Sequence, residues 1–187
     1  DARTTTMLME EFIMKGFNRH KYYPSTIRMD KGGEYYNDQV RELLRSVGCM
    51  PRYCPAGGQR HYQTLAEGKV KTVSDLALAL LHDAQRPKSY WPWAFRHAAM
   101  LLNCLTAKGT VDQSRFERQF GIIPDFRYIH RFGSIGTTTT PNRPETLETR
   151  RVPCIYLGSD FVGRNSIVQL LTPGNVITET DDFSGDD

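Results

Sequence analysis

Thr26-Ile27-Arg28-Met29-Asp30-Lys31-Gly32-Gly33-Glu34-Tyr35 is the stretch on which the fold turns. Its first four residues come after the break at Pro24 and read as a short strand, and the glycine pair reads as a turn. Asp30 therefore stands where the strand delivers a carboxylate to its C-terminal edge. Downstream, Val40, Leu43, Leu44 and Val47 recur at helical spacing and stop at Gly48, a residue that ends helices readily because the left-handed backbone costs it nothing. Met50 to Tyr53 predicts a second brief strand before Pro55. Strand, helix and strand in that order make the first part of the chain α/β.

Ahead of this stretch, Met9, Phe12, Ile13, Gly16 and Phe17 predict a helix over 6–17, with the Thr4 to Thr6 run as its N-cap. Behind it, a polar, glycine-rich loop runs from Ala56 to about Tyr62. Val73, Leu76, Ala77, Leu80 and Ala84 then mark the core stripe of a long helix over about 64–85, ended near Pro87. Trp91, Ala94, Phe95, Ala98, Leu102 and Leu105 describe a further helix, in which Trp91 and Trp93 read as packing residues rather than base-stacking ones. After residue 109 the texture changes. Prolines and glycines punctuate short apolar stretches at 151–157, 166–171 and 175–178, which suggests a small β unit, and Thr172-Pro173-Gly174-Asn175 reads as its hairpin turn. The run Thr137 to Thr140 is low-complexity.

The chain has 187 residues with 39% hydrophobic and 24% charged content, enough for one medium or two small cores and against disorder throughout. Its longest apolar runs, such as Leu76 to Leu81, fall far short of the ~20 residues that span a bilayer, so no membrane partner is expected. Cys49, Cys54, Cys104 and Cys154 form no C-x-x-C pair and the histidines have no ligand spacing, so zinc has little support and free or buried thiols are expected, although an even count permits disulfides. The net charge of +3 conceals an asymmetry: residues 1–108 carry 16 Lys and Arg against 10 Asp and Glu, and residues 109–187 carry 8 against 11. A basic first part favours a phosphate backbone and the acidic tail around Asp181, Asp182, Asp186 and Asp187 repels one; a solvated mixed surface accounts for the charge equally well.

The run from Ile27 to Tyr35 resembles the R-x-D-N-G-G-E-Y segment around the second catalytic Asp of copia-type retrotransposon integrases. That family then places a catalytic Glu at the start of a long helix, and Ala66-Glu67 occupies such a position, with 36 residues between Asp30 and Glu67. Further along, Pro87-Lys88-Ser89-Tyr90-Trp91 is similar to the family's P-K-S-F-W segment. Phe116-Glu117, Phe120-Gly121, Pro124-Asp125 and Arg131-Phe132-Gly133 look like its Y-E-x-W-F-G-x-K-P-D and V-F-G stretches. Ile155-Tyr156-Leu157-Gly158 with Thr172-Pro173-Gly174-Asn175-Val176-Ile177 looks like its closing β segment. The order of these motifs covers nearly the whole chain.

The resemblance implies a ribonuclease-H-like core, here truncated and helix-rich, over 1–108, a linker over 109–127 and a small β-rich unit with an acidic tail over 128–187. It implies a polynucleotidyl transferase that uses two divalent ions about 4 Å apart, held by three acids, of which Asp30 and Glu67 are the counterparts of two. Hard carboxylate oxygens suit Mg2+ or Mn2+. The chain begins at about the family's first helix, and Asp1 has no strand around it, so the third acid is expected to be absent and the segment inactive in strand transfer by itself. Arg60, His61, Lys69 and Lys71 correspond to the loop and helix that touch DNA in the family. A helix-surface pair of Glu67 with Lys71 is the plainer reading of those two residues.

Within these motifs the sequence departs from the family: its Asn after the second Asp is Lys31, its Q-Q-N-G loop is Gly58-Gln59-Arg60-His61-Tyr62-Gln63, and the Arg and Asn after the Glu are Gly68 and Val70. An ammonium at Lys31 competes with a cation beside Asp30. Two functions arise as expectations. One is an integrase segment with DNA as its partner, placed in the nucleus. The other is a repurposed, catalytically dead remnant that binds protein or nucleic acid, or acts as a secreted effector. In either, apolar helix faces left without their usual packing surface would be covered by each other, by a second copy or by a protein partner.

Overall fold

The computed structural model describes residues 2–13, 24–29, 31–53, 60–106, 113–139, 151–160 and 165–185, with the backbone alone at residues 2–3 and 60–65. Helix and sheet are both well represented, the mixed α/β composition that the sequence predicts. The chain divides into two compact units, residues 1–66 and 67–187.

In the first unit α1 spans Ala2–Glu11, so the helix begins four residues earlier than its apolar spacing suggests. The threonines at 4–6 lie inside it rather than capping it, which a helix tolerates at a few tenths of a kcal/mol each. Residues 14–17, expected to complete this helix, lie outside the described residues. Thr26–Met29 forms β1, Asp38–Ser46 forms α2 and Met50–Tyr53 forms β2. The strands pair in parallel, from Thr26 with Met50 to Met29 with Tyr53, as a crossover through a helix requires.

Both ends of α2 are fixed by their sequence. Asn37 accepts a hydrogen bond from the Val40 N–H at 2.9 Å, satisfying one of the orphan donors of the first turn. At the other end Gly48 adopts φ +70°, and the N–H groups of Gly48 and Cys49 donate to the carbonyls of Arg45 and Leu44 at 3.0 and 2.8 Å, which is a Schellman closure. Val40 and Leu44 are fully buried with Ile13, Met29 and Cys49, and Ile27, Leu43 and Tyr53 pack around them. Burial of each of the two aliphatic side chains of α2 contributes about 2 kcal/mol.

In the second unit, α3 (Arg60–Asp83, entering from the first) runs to α4 (Trp91–Cys104) through a 3-10 turn at Lys88–Tyr90, and a short α5 (Arg115–Phe120) comes next. The stripe expected from helical spacing is the one that packs: Ala77 and Leu81 of α3 meet Ala94 and Ala98 of α4 around Phe132, with Val73, Leu76 and Leu80 alongside. Trp93 joins that cluster, whereas Trp91 is 58% exposed and meets only the edge of Phe95 among the described ring contacts. Trp91 stands at the first position of α4, where the side chain lies outside the helix–helix seam.

Five strands form one antiparallel sheet in the order β6 (Ile177–Thr180), β5 (Ser166–Leu170), β4 (Arg151–Ser159), β3 (Ile135–Thr139), β7 (Ser184–Gly185). The central strand β4 is buried from Cys154 to Ser159, with a register irregularity between Tyr156 and Gly158. Ile155, Leu157 and Ile167 face Tyr90 and Trp93, while Cys154, Val168 and Leu170 face Val152 and Phe183. The apolar faces of α3 and α4 therefore find a packing surface within this unit. The predicted turn forms: Asn175 N–H donates to Thr172 C=O at 3.0 Å, with Gly174 and Asn175 at positive φ.

His97 sits on the buried stripe of α4, 2% exposed, between Phe132 and Tyr156, and its Nδ1 has no hydrogen-bond partner. Burial pulls its pKa from 6.5 down to about 4. The folded state thus binds fewer protons than the unfolded chain between those values, so the stability that neutral His97 confers is complete above pH 6.5 and is lost as pH falls toward 4. Between pH 7 and pH 5 the loss amounts to about 2 kcal/mol. Urea unfolding at the two pH values checks this, and His97→Leu removes that share of the difference.

Cys49, Cys104 and Cys154 are buried free thiols, as expected, and Cys54 lies outside the described residues. Among the described residues no helix is long and apolar enough to cross a membrane.

Candidate functional site

The strand β1 that leads to Asp30 ends at Met29, and Asp30 itself lies outside the described residues. The turn beyond it is well defined. The N–H groups of Tyr35 and Tyr36 both donate to the Gly32 carbonyl, at 2.9 and 2.8 Å, closing the predicted glycine turn. The Asn37 amide donates to the carbonyls of Gly33 and Glu34, at 3.3 and 2.9 Å, which ties the turn to the start of α2. Tyr36 meets Tyr53 edge-on at 4.8 Å between centroids, and the Arg41 guanidinium lies over the Tyr36 ring at 4.6 Å. Lys31 is exposed beside this turn. Tyr36 and Tyr53 thus brace the end of β1 against β2 and α2, a role that the place of Tyr36 just after the glycines hints at and that periodicity alone cannot assign.

Glu67, Lys69 and Lys71 are all exposed on α3. Glu67 and Lys71 are one turn apart, yet the ion pairs among the described residues are Arg41 with Asp38, Arg127 with Asp125 and Arg131 with Asp83, so the plainer reading of Glu67 as half of a helix-surface pair is not realised. Gly68 occupies an exposed helical position at which an added Cβ would meet nothing within 4 Å. The Thr72 hydroxyl donates to its carbonyl at 2.8 Å. Arg60 and His61 belong to the first turn of α3, where the backbone alone is described. The structure therefore brings Glu67, Lys69 and Lys71 onto one exposed segment.

Among the described residues no group of three His, Cys, Asp or Glu side chains could hold a metal ion. Glu67 offers a single carboxylate to solvent, so the described donors do not fit a two-ion centre.

The acidic tail proves partly structural. Asp182 accepts hydrogen bonds from the hydroxyls of Thr138 and Thr180, each at 2.6 Å, from the Thr139 N–H at 3.1 and 3.2 Å, and from the Thr139 hydroxyl. Burial alone would raise its pKa, but these donors outweigh it and hold the carboxyl well below the usual range. A threonine run with no evident pattern is thus the donor set for an acid 43 residues away from Thr139.

The described residues thus show a parallel β-α-β unit and an α3 whose exposed segment carries Glu67 beside two lysines, within a mixed α/β chain. The chain is homologous to retrovirus-related Pol polyproteins of copia-type transposons. It is 30% identical over 142 residues to the retrovirus-related Pol polyprotein from transposon RE2 of Arabidopsis thaliana and 29% identical over 142 residues to that from transposon RE1 of the same plant, in each case across 75% of this chain. It is 25% identical over 133 residues, 71% of the chain, to the Pol polyprotein from transposon TNT 1-94 of Nicotiana tabacum. The chain spans about 10% of the length of these polyproteins. A solved structure of a simian T-cell lymphotropic virus intasome in complex with the PP2A regulatory subunit B56 gamma aligns over 94% of this chain and 62% of that one, at 13% identity and a TM-score of 0.49. No family model matches the chain.

Proposed function

We propose that this chain is an integrase segment that binds duplex DNA through its phosphate backbone and does not by itself carry out strand transfer. The observation that carries the reading is the exposed segment of α3, where Lys69 and Lys71 stand outside every ion pair among the described residues, in a chain homologous to retrotransposon Pol polyproteins. Lysines in such a setting act on phosphate as point charges, fixing position without reading sequence. The resemblance assigns Arg60 and His61 to the same contact. Asp30 and Glu67 are two of the three acids that the family's chemistry needs, and Mg2+ or Mn2+ binding is assigned to them only in company with a third carboxylate. A chain acting on chromosomal DNA belongs in the nucleus.

The test pairs two measurements. Lys69→Ala/Lys71→Ala weakens duplex binding equally for unrelated sequences and lowers the salt slope by about 2, at about 0.9 for each phosphate no longer neutralised. In a strand-transfer assay with Mg2+ or Mn2+ the chain yields no joined product. Joined product from the chain alone, or an unchanged slope, overturns the reading.

A second reading is favoured by one observation: Gly68 sits on an exposed helix face with no packing reason to be glycine, at a cost of about 1 kcal/mol relative to Ala. Loss of selection for DNA contact at this helix would make the chain a remnant that binds a protein partner or a second copy. Specific protein binding without salt-sensitive DNA affinity is the result that would select it.

A further inference from the structure

Tyr90, Trp91 and Trp93 stand together at the start of α4 and meet different fates. Tyr90 and Trp93 pack against Ile155, Leu157 and Ile167 of the sheet, and the Tyr90 hydroxyl donates to the Gln169 side chain at 2.7 Å. Trp91 is 58% exposed. Its one ring contact among the described residues is with Phe95, a turn further on, at 5.8 Å between centroids and 78° between planes, and an edge-on meeting cannot cover both faces of an indole. The Trp91 N–H donates to the Lys88 carbonyl, which fixes the lysine one 3-10 turn ahead of the ring. Lys88 and Arg96 are both exposed and enter no ion pair among the described residues. Nor does the segment supply an acid of its own, since no Asp or Glu stands between Asp83 and Asp112.

An open aromatic face among uncompensated cations has the chemistry that receives a nucleic-acid strand: every base offers a π-face whatever the sequence, and phosphates recur beside it. A duplex keeps its bases stacked on one another, so the face suits an unpaired base. We infer that the Trp91 indole is a stacking platform for a base of single-stranded nucleic acid, with Lys88 and Arg96 drawing in the neighbouring phosphates. The platform rests on the nucleic-acid reading proposed above and adds to it a single-strand surface on α4, separate from the lysines of α3.

The experiment is fluorescence anisotropy of a labelled oligothymidine and of a labelled duplex, with the intrinsic tryptophan emission followed in the same titrations. The parent chain binds the single strand and its emission is quenched. Trp91→Ala weakens single-strand binding about tenfold, the loss of one stacked base, and removes most of the quenching, while duplex affinity and the salt slope stay as they were. Trp91→Phe keeps most of the affinity, because a ring remains. Lys88→Ala/Arg96→Ala instead lowers the single-strand salt slope by about 1.4, at about 0.7 for each phosphate no longer neutralised. Equal single-strand affinity in the parent and Trp91→Ala, or an equal loss on single strand and duplex, overturns the platform. A parent that binds duplex alone also overturns it and leaves the contact through α3 standing, whereas a parent that binds neither overturns both readings.

Discussion

Gly133→Ala lowers the stability of the second unit by about 3 kcal/mol or more. Two independent penalties meet at the residue. Its φ of +74° lies in the left-handed region, where a side chain costs about 1–2 kcal/mol. An added Cβ would also stand 2.6 Å from the Ala84 Cβ and 3.2 Å from the Arg86 Cγ, and forcing extra volume into a packed site costs about 1–3 kcal/mol more. Neither neighbour has room to give. Ala84 comes directly after α3, and the Arg86 guanidinium donates to the Gly133 carbonyl at 2.7 Å. The Gly133 N–H donates to the Tyr156 carbonyl at 2.9 Å, which locks the same residue to β4. Urea unfolding measures the difference, and a loss under about 1 kcal/mol would mean that the loop relaxes where these contacts say it cannot. The Phe-Gly pair of the family motif thereby acquires a physical reason: Phe132 fills the α3–α4 core at 1% exposure, and the next residue must turn under Arg86 without a side chain.

Asp182→Ala is expected to cost about 3 kcal/mol, because it strips a carboxylate that collects donors from three threonines, and hydrogen bonds to a charged group contribute about 1.5–3 kcal/mol each without adding fully. Thr138 is completely buried, so its hydroxyl is left with Thr180 alone. The edge strand β7 and Phe183 depend on the same anchor. β7 pairs with β3 only at Gly136 and Thr137, and Phe183 covers Gly136 so closely that a Cβ there would fall 2.6 Å from its ring. The sign of the pH dependence comes from the lowered pKa. The carboxylate stabilises the fold above the usual 3.8 and ceases to do so as acid protonates it in the folded state. Comparison of parent and variant by urea unfolding at neutral pH tests the magnitude, and equal stability would show that the threonine cluster holds β7 without the acid.

The parts of the fold visible in the sequence are those fixed by neighbours in the chain. β1, β2 and the stop of α2 at Gly48 arise from local alternation and one glycine, and the packing stripe of α3 and α4 arises from helical spacing. α3 begins at Arg60, inside a stretch whose composition predicts a loop, since His61 to Thr64 carry no apolar rhythm to announce a helix. α5 is within reach of sequence reasoning: Ser114 caps it by accepting from the Glu117 N–H at 3.0 Å, and Gly121 closes it at φ +70°. Six residues are too few for periodicity, but Ser114-x-x-Glu117 is a capping-box pattern. β3 and β7 are not, because Thr137 to Thr139 become a strand through pairing with 151–153 and through Asp182, partners that local pattern cannot name. Of the candidate site, Glu67 is placed by its spacing from Asp30, and Lys69 and Lys71 by the resemblance alone.

The measurement that bears most directly on the central claim is the affinity of the purified chain for a labelled duplex at a series of salt concentrations. Binding to unrelated sequences with equal affinity, falling linearly in log–log form with a slope of about −2 or steeper, is the predicted result, since Lys69 and Lys71 alone release counterions from two phosphates. A flat dependence, or no binding at low salt, would contradict it and leave a Pol-derived fold whose surface no longer serves DNA.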